Sequence, residues 1–397
     1  MNRRLLLPML AFLAGCPSRP VGPSDWPYGA TLDPAEPRLA YEPAPGEALD
    51  GPDPLELLWT GEHFVALYGV NDAGAVYVGL SLLSPEGELV DATRVTDDYA
   101  ALEDAPVSAV MVQAYDAVTV LWSDGWGNIH ARKVGTASAM LQPEPPEQPF
   151  DAVAAQVSLA GAVFENEGYT LAWLGDRAPR VSQLNGGLGR VGPIVEPVPD
   201  LPANVSGRIT DLHATPGGFA LLWNERTVQS DAVYVIRLHV NGQPDGEPIL
   251  VYEAEDVISA ELLVDGSELL TVAFWDLDVA SGVVEIVDAS QVGEPVYLSN
   301  GSFSRPTLDA VGESTYAMLG LAGELRPENP IETQLWFLLV ERSGLIAHEL
   351  RVSDSPAEPR CIEGHRIARG HDAFGALWVE GCAELDRQLL FARIVPQ

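Results

Sequence analysis

Residues Ile209–Glu225, ITDLHATPGGFALLWNE, hold two apolar-alternating runs joined by Pro216-Gly217-Gly218. Side chains alternate across a strand, so two such runs about a tight turn predict a β-hairpin. Its second half, FALLW from Phe219, recurs as FVALY from Phe64, VTVLW from Val118, YTLAW from Tyr169, TVAFW from Thr271, TYAML from Thr315 and FGALW from Phe374. The last residue of each copy falls at Tyr68, Trp122, Trp173, Trp223, Trp275, Leu319 and Trp378, at spacings of 54, 51, 50, 52, 44 and 59. That period is too long for ankyrin or tetratricopeptide units and fits a four-stranded propeller blade.

The rest of each unit supports this. Before the repeated segment stands a first run, such as LELLW from Leu55 or ISAELLV from Ile258. After it come a polar loop and a third run, such as AVYVGLSLL from Ala75 or LWFLLVE from Leu335, and then a short fourth. No segment keeps a 3.6-residue period, so helical repeats are excluded. The expected fold is all-β, a seven-bladed β-propeller over residues 38–397. Six or eight blades stay open, because Tyr68 and Leu319 depart from the Trp pattern. The last unit ends after its third run, and the alternating island Arg38–Tyr41 is expected to add the missing strand and close the ring. The units resemble the degenerate propeller repeats common in exported bacterial proteins.

The repeated Trp reads as a wedge between neighbouring blades, where a buried ring contributes a few kcal/mol. A sugar-stacking platform would need the rings to face solvent, which is improbable at five equivalent positions.

Composition narrows function. The chain carries 57 Asp and Glu against 22 Lys and Arg, a formal charge of -35, with Lys133 its one lysine. Nucleic-acid binding needs basic stripes and is excluded. The 37 Gly and 32 Pro imply many turns.

Arg3 and Arg4 precede an apolar stretch, Leu5–Gly15, too short to span a bilayer, which reads as an export signal over residues 1–15. Leu13-Ala14-Gly15-Cys16 resembles the bacterial lipobox, which implies lipidation at Cys16 and, with Pro17 rather than Asp next, retention at an outer membrane. The Pro-rich residues 16–37 read as a tether.

Candidate chemistry is sparse. Cys361 precedes the first strand of the last unit and Cys382 follows its second, so the two are topological neighbours and are expected to form a disulfide. A zinc site using these cysteines with His365 and His371 is the lesser alternative. Acids follow the repeated segment at Asp124, Asp176, Glu225, Asp276, Asp278 and Glu380, and with Trp126 they are expected to rim one mouth of the axial funnel. Solvation and turn formation are the favoured explanation of the same acids. Gly187–Gly192 matches G-x-G-x-x-G but lies between two short strands, so it reads as a turn. No catalytic or metal motif is selected, and no cofactor is implied. The leading expectation is a non-catalytic platform, held to the membrane through Cys16, that binds another envelope protein. A small-ligand, cation or glycan receptor is the alternative, and a propeller-type hydrolase or lyase a lesser one. The stretch Gly320–Thr333 and the insert LQPEPPEQPF from Leu141 depart most from the repeat and are the expected partner contacts.

Overall fold

β-branched and aromatic residues alternate with small ones in runs broken by Gly, Asp and Pro, and each run is an extended strand. The structure, a computed structural model, describes residues 29–33, 36–41, 43, 47–49, 55–72, 74–96, 106–114, 117–136, 139–150, 158–164, 168–175, 178–202, 204–264, 269–276, 281–288, 291–299, 303–311, 315–322, 325–326, 329–330, 333–353, 361–381 and 387–396. Among them there is no helix, hence none long and apolar enough to cross a membrane.

The strands form seven antiparallel sheets, the blades of a seven-bladed β-propeller. The inner strands are Leu55–Trp59, Pro106–Ala114, Leu159–Phe164, Ser206–Thr215, Val257–Val264, Phe303–Ala310 and Ile362–Arg369. They stand in sequence around an axis, and the first packs against the last. Second strands follow at Phe64–Asp72, Ala117–Asp124, Gly168–Leu174, Gly218–Arg226, Leu270–Asp276, Thr315–Ala322 and Phe374–Glu380. In blade 2 the Pro-rich insert is no loop, because Gln142–Pro143 and Glu147–Phe150 pair with the third strand, Ile129–Gly135. An outer edge tolerates proline, whose missing N–H would face away from the ladder. Within the expected partner loop of blade 6, Leu325–Arg326 and Asn329–Pro330 form a small hairpin of their own.

The wedge reading of the repeated aromatic holds, and the structure shows its direction. Trp122 packs among Val65, Leu67 and Val78 of blade 1, Trp173 among Val110 and Val112 of blade 2, and Trp223 among Ala160 and Val181 of blade 3. Trp378 packs on Leu319 and Phe337 of blade 6, and Tyr68 on Leu377 and Phe391 of blade 7. Each of these rings therefore faces the preceding blade. Blades 5 and 6 correct the sequence alignment by one residue. There the residues facing the preceding blade are Phe274, packed with Ala220 and Leu222, and Met318, packed with Leu263 and Ala273. Leu319 faces the other way, into blade 7. A strand exchanges faces with every one-residue slip, so the apparent repeat Trp275 lies on the opposite side from Trp223. Glycine spacing marks the true wedge position. A Cβ on Gly79 would come 2.7 Å from the Tyr68 ring, and one on Gly282 would come 2.6 Å from the Phe274 ring.

Blade 7 closes the ring with N-terminal strands. Arg38–Tyr41 pairs with Gln388–Pro396, as expected, with Arg38 opposite Phe391 and Tyr41 opposite Leu389. Ala30–Leu32, inside the stretch read as tether, pairs with the same strand and sets Ala30 opposite Pro396. The chain then crosses to blade 1, where Glu47–Leu49 pairs with the end of Phe64–Asp72. Glu47 knots the crossing. Its Oε2 accepts from Tyr41 Oη at 2.5 Å, and its Oε1 accepts from Tyr77 Oη at 2.5 Å and Arg94 Nη2 at 2.7 Å. Arg94 also stacks 3.9 Å above the Tyr77 ring and pairs with Asp72 at 2.9 Å.

Glu47→Ala would take the shared carboxylate away from two phenols and a guanidinium at the seam that closes the ring, leaving Arg94 its pairing with Asp72. The expected cost is about 2–4 kcal/mol, read as a lowered urea midpoint.

Candidate functional site: the axial ring

Inner-strand side chains alternate between the two neighbouring blades, and in four blades a carboxylate at the position facing onward clips the next blade. Glu56 Oε2 accepts from the Met111 amide of blade 2 at 2.6 Å. Asp211 Oδ2 accepts from the Leu262 amide of blade 5 at 3.2 Å, and Asp309 Oδ2 from the Arg369 amide of blade 7 at 2.7 Å. Glu261 is held by the Leu308 amide of blade 6. Shorter side chains clip elsewhere: Ser158 Oγ accepts from the Ile209 amide at 2.9 Å. At the seam between blades 7 and 1, Arg366 occupies the position that Glu56 holds in blade 1. Both lie one step past the partner of the wedge aromatic, Arg366 opposite Leu377 and Glu56 opposite Leu67.

These groups sense one another across the ring. Glu56 of blade 1 and Glu261 of blade 5 both feel Arg366, Asp211 and His213 of blades 7 and 4. Residues on opposite sides of a propeller can couple so only through its middle, which puts this set on the axis. His213 Nε2 lies 3.1 Å from Asp211 Oδ2, and both remain partly open to solvent. Burial is the main force on the two glutamates. It pushes Glu56 up to about 7, with the Met111 amide and Arg366 opposing and Asp211 adding. It pushes Glu261 up to about 8, opposed by Arg366 and raised further by Asp211. At neutral pH these carboxyls therefore titrate, and the ring can offer both donors and acceptors. No group of three or more His, Cys, Asp or Glu able to hold a metal occurs among the described residues.

The acids expected at a funnel rim are placed differently. Glu225 accepts from the Trp223 indole N–H and Glu380 from that of Trp378, each at 3.0 Å. Asp276 is buried and accepts from Tyr252 Oη at 2.7 Å. Asp124 is buried and accepts from the amides of Trp126 and Asn128, both at 2.9 Å, and lies 2.9 Å from His130 Nε2. Burial alone would raise its carboxyl, but the bonds from His130 and Asn128 outweigh that and hold it below the usual range. Asp124, Glu225 and Glu380 are internal fastenings of their blades, whereas Asp276 of blade 5 reaches across the seam to Tyr252 of blade 4. An acid two residues past a buried Trp is in reach of the indole N–H, and that spacing could have been read as a structural signal. Trp126 is 57% exposed. Asp176 and Asp278 lie outside the described residues. Gly187–Gly192 is a turn, with Asn185 Oδ1 accepting the amides of Gly187 at 2.9 Å and Gly189 at 3.1 Å.

His365 is buried in a seam and His371 is exposed, so they do not converge. Cys361 is buried and disulfide-bonded, but Cys382 lies outside the described residues, and the expected pairing is corrected to a statement about Cys361 alone. The axial glutamates carry no signal in the sequence, because in LELLW and ISAELLV each is a single polar residue within an alternating first strand.

No family model matches the chain, and no curated protein is similar to it. The description as a lipoprotein with a signal peptide at an outer membrane therefore has no family behind it; it rests on residues outside the described ones, and what stands is the propeller. Among solved structures the chain is similar to a protein of unknown function from Dyadobacter fermentans DSM 18053, at 9% identity and a TM-score of 0.51, over 93% of this chain and 100% of that one. It is also similar to a mutant puromycin hydrolase complexed with PGG, at 11% identity and a TM-score of 0.53, over 87% of this chain and 53% of that one. The chain thus spans about half the length of that hydrolase. At such identities the likeness shows the fold alone.

The raised carboxyls give a pH test. The folded state holds protons on Glu56 and Glu261 that the unfolded chain releases near 4.5, so these groups stabilise in acid and that stability is lost as pH rises through about 7 and 8. Glu261→Gln is expected to flatten the fall in melting temperature between about pH 4.5 and 8 relative to the parent protein.

Proposed function

We propose that the chain is a non-catalytic recognition scaffold whose ligand site is the axial ring. The observation that supports this reading is the convergence of Glu56, Asp211, His213, Glu261 and Arg366 from blades 1, 4, 5 and 7 on one axis, partly open to solvent. Glu56 spends Oε2 on the Met111 amide and keeps Oε1 for another partner. A small polar ligand carrying a cationic group suits such a site, with Asp211 beside His213 and two carboxyls able to donate or accept. Saturable binding by members of a panel of polyamines and amino sugars is expected in calorimetry, weakened at least tenfold by Asp211→Asn. A flat titration across the panel would overturn the axial reading.

A protein-binding platform in the cell envelope is the second reading, favoured by the exposed ring of Trp126 on the loop after the second strand of blade 2. Cross-linking in host membranes followed by mass spectrometry separates the two, since a stoichiometric partner lost in Trp126→Ala belongs to the platform alone. For location we propose export and attachment to the outer membrane through Cys16, on the strength of the first sixteen residues. Cys16→Ser is expected to move the protein from the membrane to the soluble fraction, and unchanged partition would count against the anchor.

A further inference from the structure

The seam between blades 6 and 7 contains a histidine in an environment unlike that of any other described one. His365 is 2% exposed, and neither ring nitrogen makes a hydrogen bond. It lies on the inner strand Ile362–Arg369 opposite Trp378. With Ile367, two residues on, packed against Leu319 and Phe337, this side of the strand faces blade 6. The nearest polar groups are the backbones of Arg305 and Leu319 in that blade, at a geometry short of a full hydrogen bond.

The charges around it offer a proton no welcome. Arg366 stands beside it on the same strand, and Arg305 faces it from blade 6; both disfavour a cationic ring. The acids of the neighbouring elements are committed elsewhere. Glu363 is paired with Arg387 at 2.9 Å, Asp309 holds the Arg369 amide, and Glu380 holds the Trp378 indole. The second strand of blade 6, Thr315–Ala322, carries no charged residue. Arg305 itself is held at φ 50, a conformation uncommon outside glycine, in a bulge between Ser304 and Thr307, and its Nη1 donates to the Glu363 carbonyl at 2.9 Å. The tie from blade 6 to blade 7 therefore runs past the buried imidazole.

We propose that His365 is an acid-sensitive latch: while neutral it lets blade 7 seat against blade 6, and when protonated it opens that seam before the other six. Burial, with Arg366 and Arg305 adding, holds the imidazole down at about 3. The unfolded chain takes its proton near 6.5. This contribution to stability is complete above about 6.5 and is lost progressively as pH falls toward 3. Its direction is opposite to that of the axial glutamates, so the latch is visible as a difference between variants and not in the raw profile of the protein.

The internal repeat supplies the test. Blades 1 and 3 carry Leu55 and Leu159 at the register of His365, opposite Tyr68 and Trp173. In the full chain, the unfolding constant of the parent protein relative to His365→Leu is expected to rise about tenfold per pH unit below 6.5, hence about 100-fold by pH 4.5. Hydrogen exchange at pH 5 should show Phe303–Ala310 and Ile362–Arg369 losing protection before the other inner strands, and should not do so in the variant. His365→Gln, non-titrating and polar, gives the same reading if the leucine form does not fold. Parallel pH profiles for the parent and the folded variants, or protection lost equally at all seams, would overturn the latch.

Discussion

A ring of seven sheets has seven seams, and it holds its shape only if the last seam is as well made as the others. Here the chain brings its two ends to one blade. Arg38–Tyr41 and Ala30–Leu32 complete the sheet that Gln388–Pro396 would otherwise leave with a bare edge. Glu47 then ties the crossing to Tyr77 and Arg94 of blade 1. Backbone pairing between residues more than 350 apart carries a large loop-closure cost, and it is recovered only once every intervening blade is in place. Closure is thus the constraint that makes the other seams cooperative.

Each seam uses two devices. A large side chain from the second strand wedges against the preceding blade, and a polar side chain from many inner strands clips an amide of the following one. The wedge acts through apolar area and is indifferent to pH. The clip places carboxyls deep in the ring, where burial keeps Glu56 and Glu261 protonated far above their usual range. The groups that hold the ring together are therefore also the ones that give its axis chemistry. The axial site is thus built from parts that the fold already requires.

The structure departs from symmetry where composition departs from the repeat. Blades 5 and 6 shift their wedge to Phe274 and Met318, and the seam beyond blade 6 takes a histidine where other blades have leucine, isoleucine or alanine. Local variation in a propeller is tolerated because each blade touches only its neighbours, so a change at one seam leaves the rest intact.

Much of the fold was legible in residue pattern. Two-residue alternation, turn residues and a recurring aromatic segment marked out the strands, the hairpins and the closing role of Arg38–Tyr41, since these depend on local geometry repeated many times, while the choice of seven blades over six or eight waited on the structure. The phase of that segment in blades 5 and 6 was not legible, because TVAFW and TYAML carry large apolar side chains at adjacent positions, Phe274-Trp275 and Met318-Leu319, which permit either register until a neighbouring sheet selects one. The same holds for function. That an acid follows each Trp is visible in the sequence, but whether it faces solvent or the indole N–H depends on a χ angle and a few ångströms. Glu56, Asp211, Glu261 and Arg366 lie in four blades and meet only when the ring closes. The sequence by itself determined the kind of ring; only the tertiary structure decided which side chains share its centre, because convergence on an axis is a property of the closed ring and of no single strand.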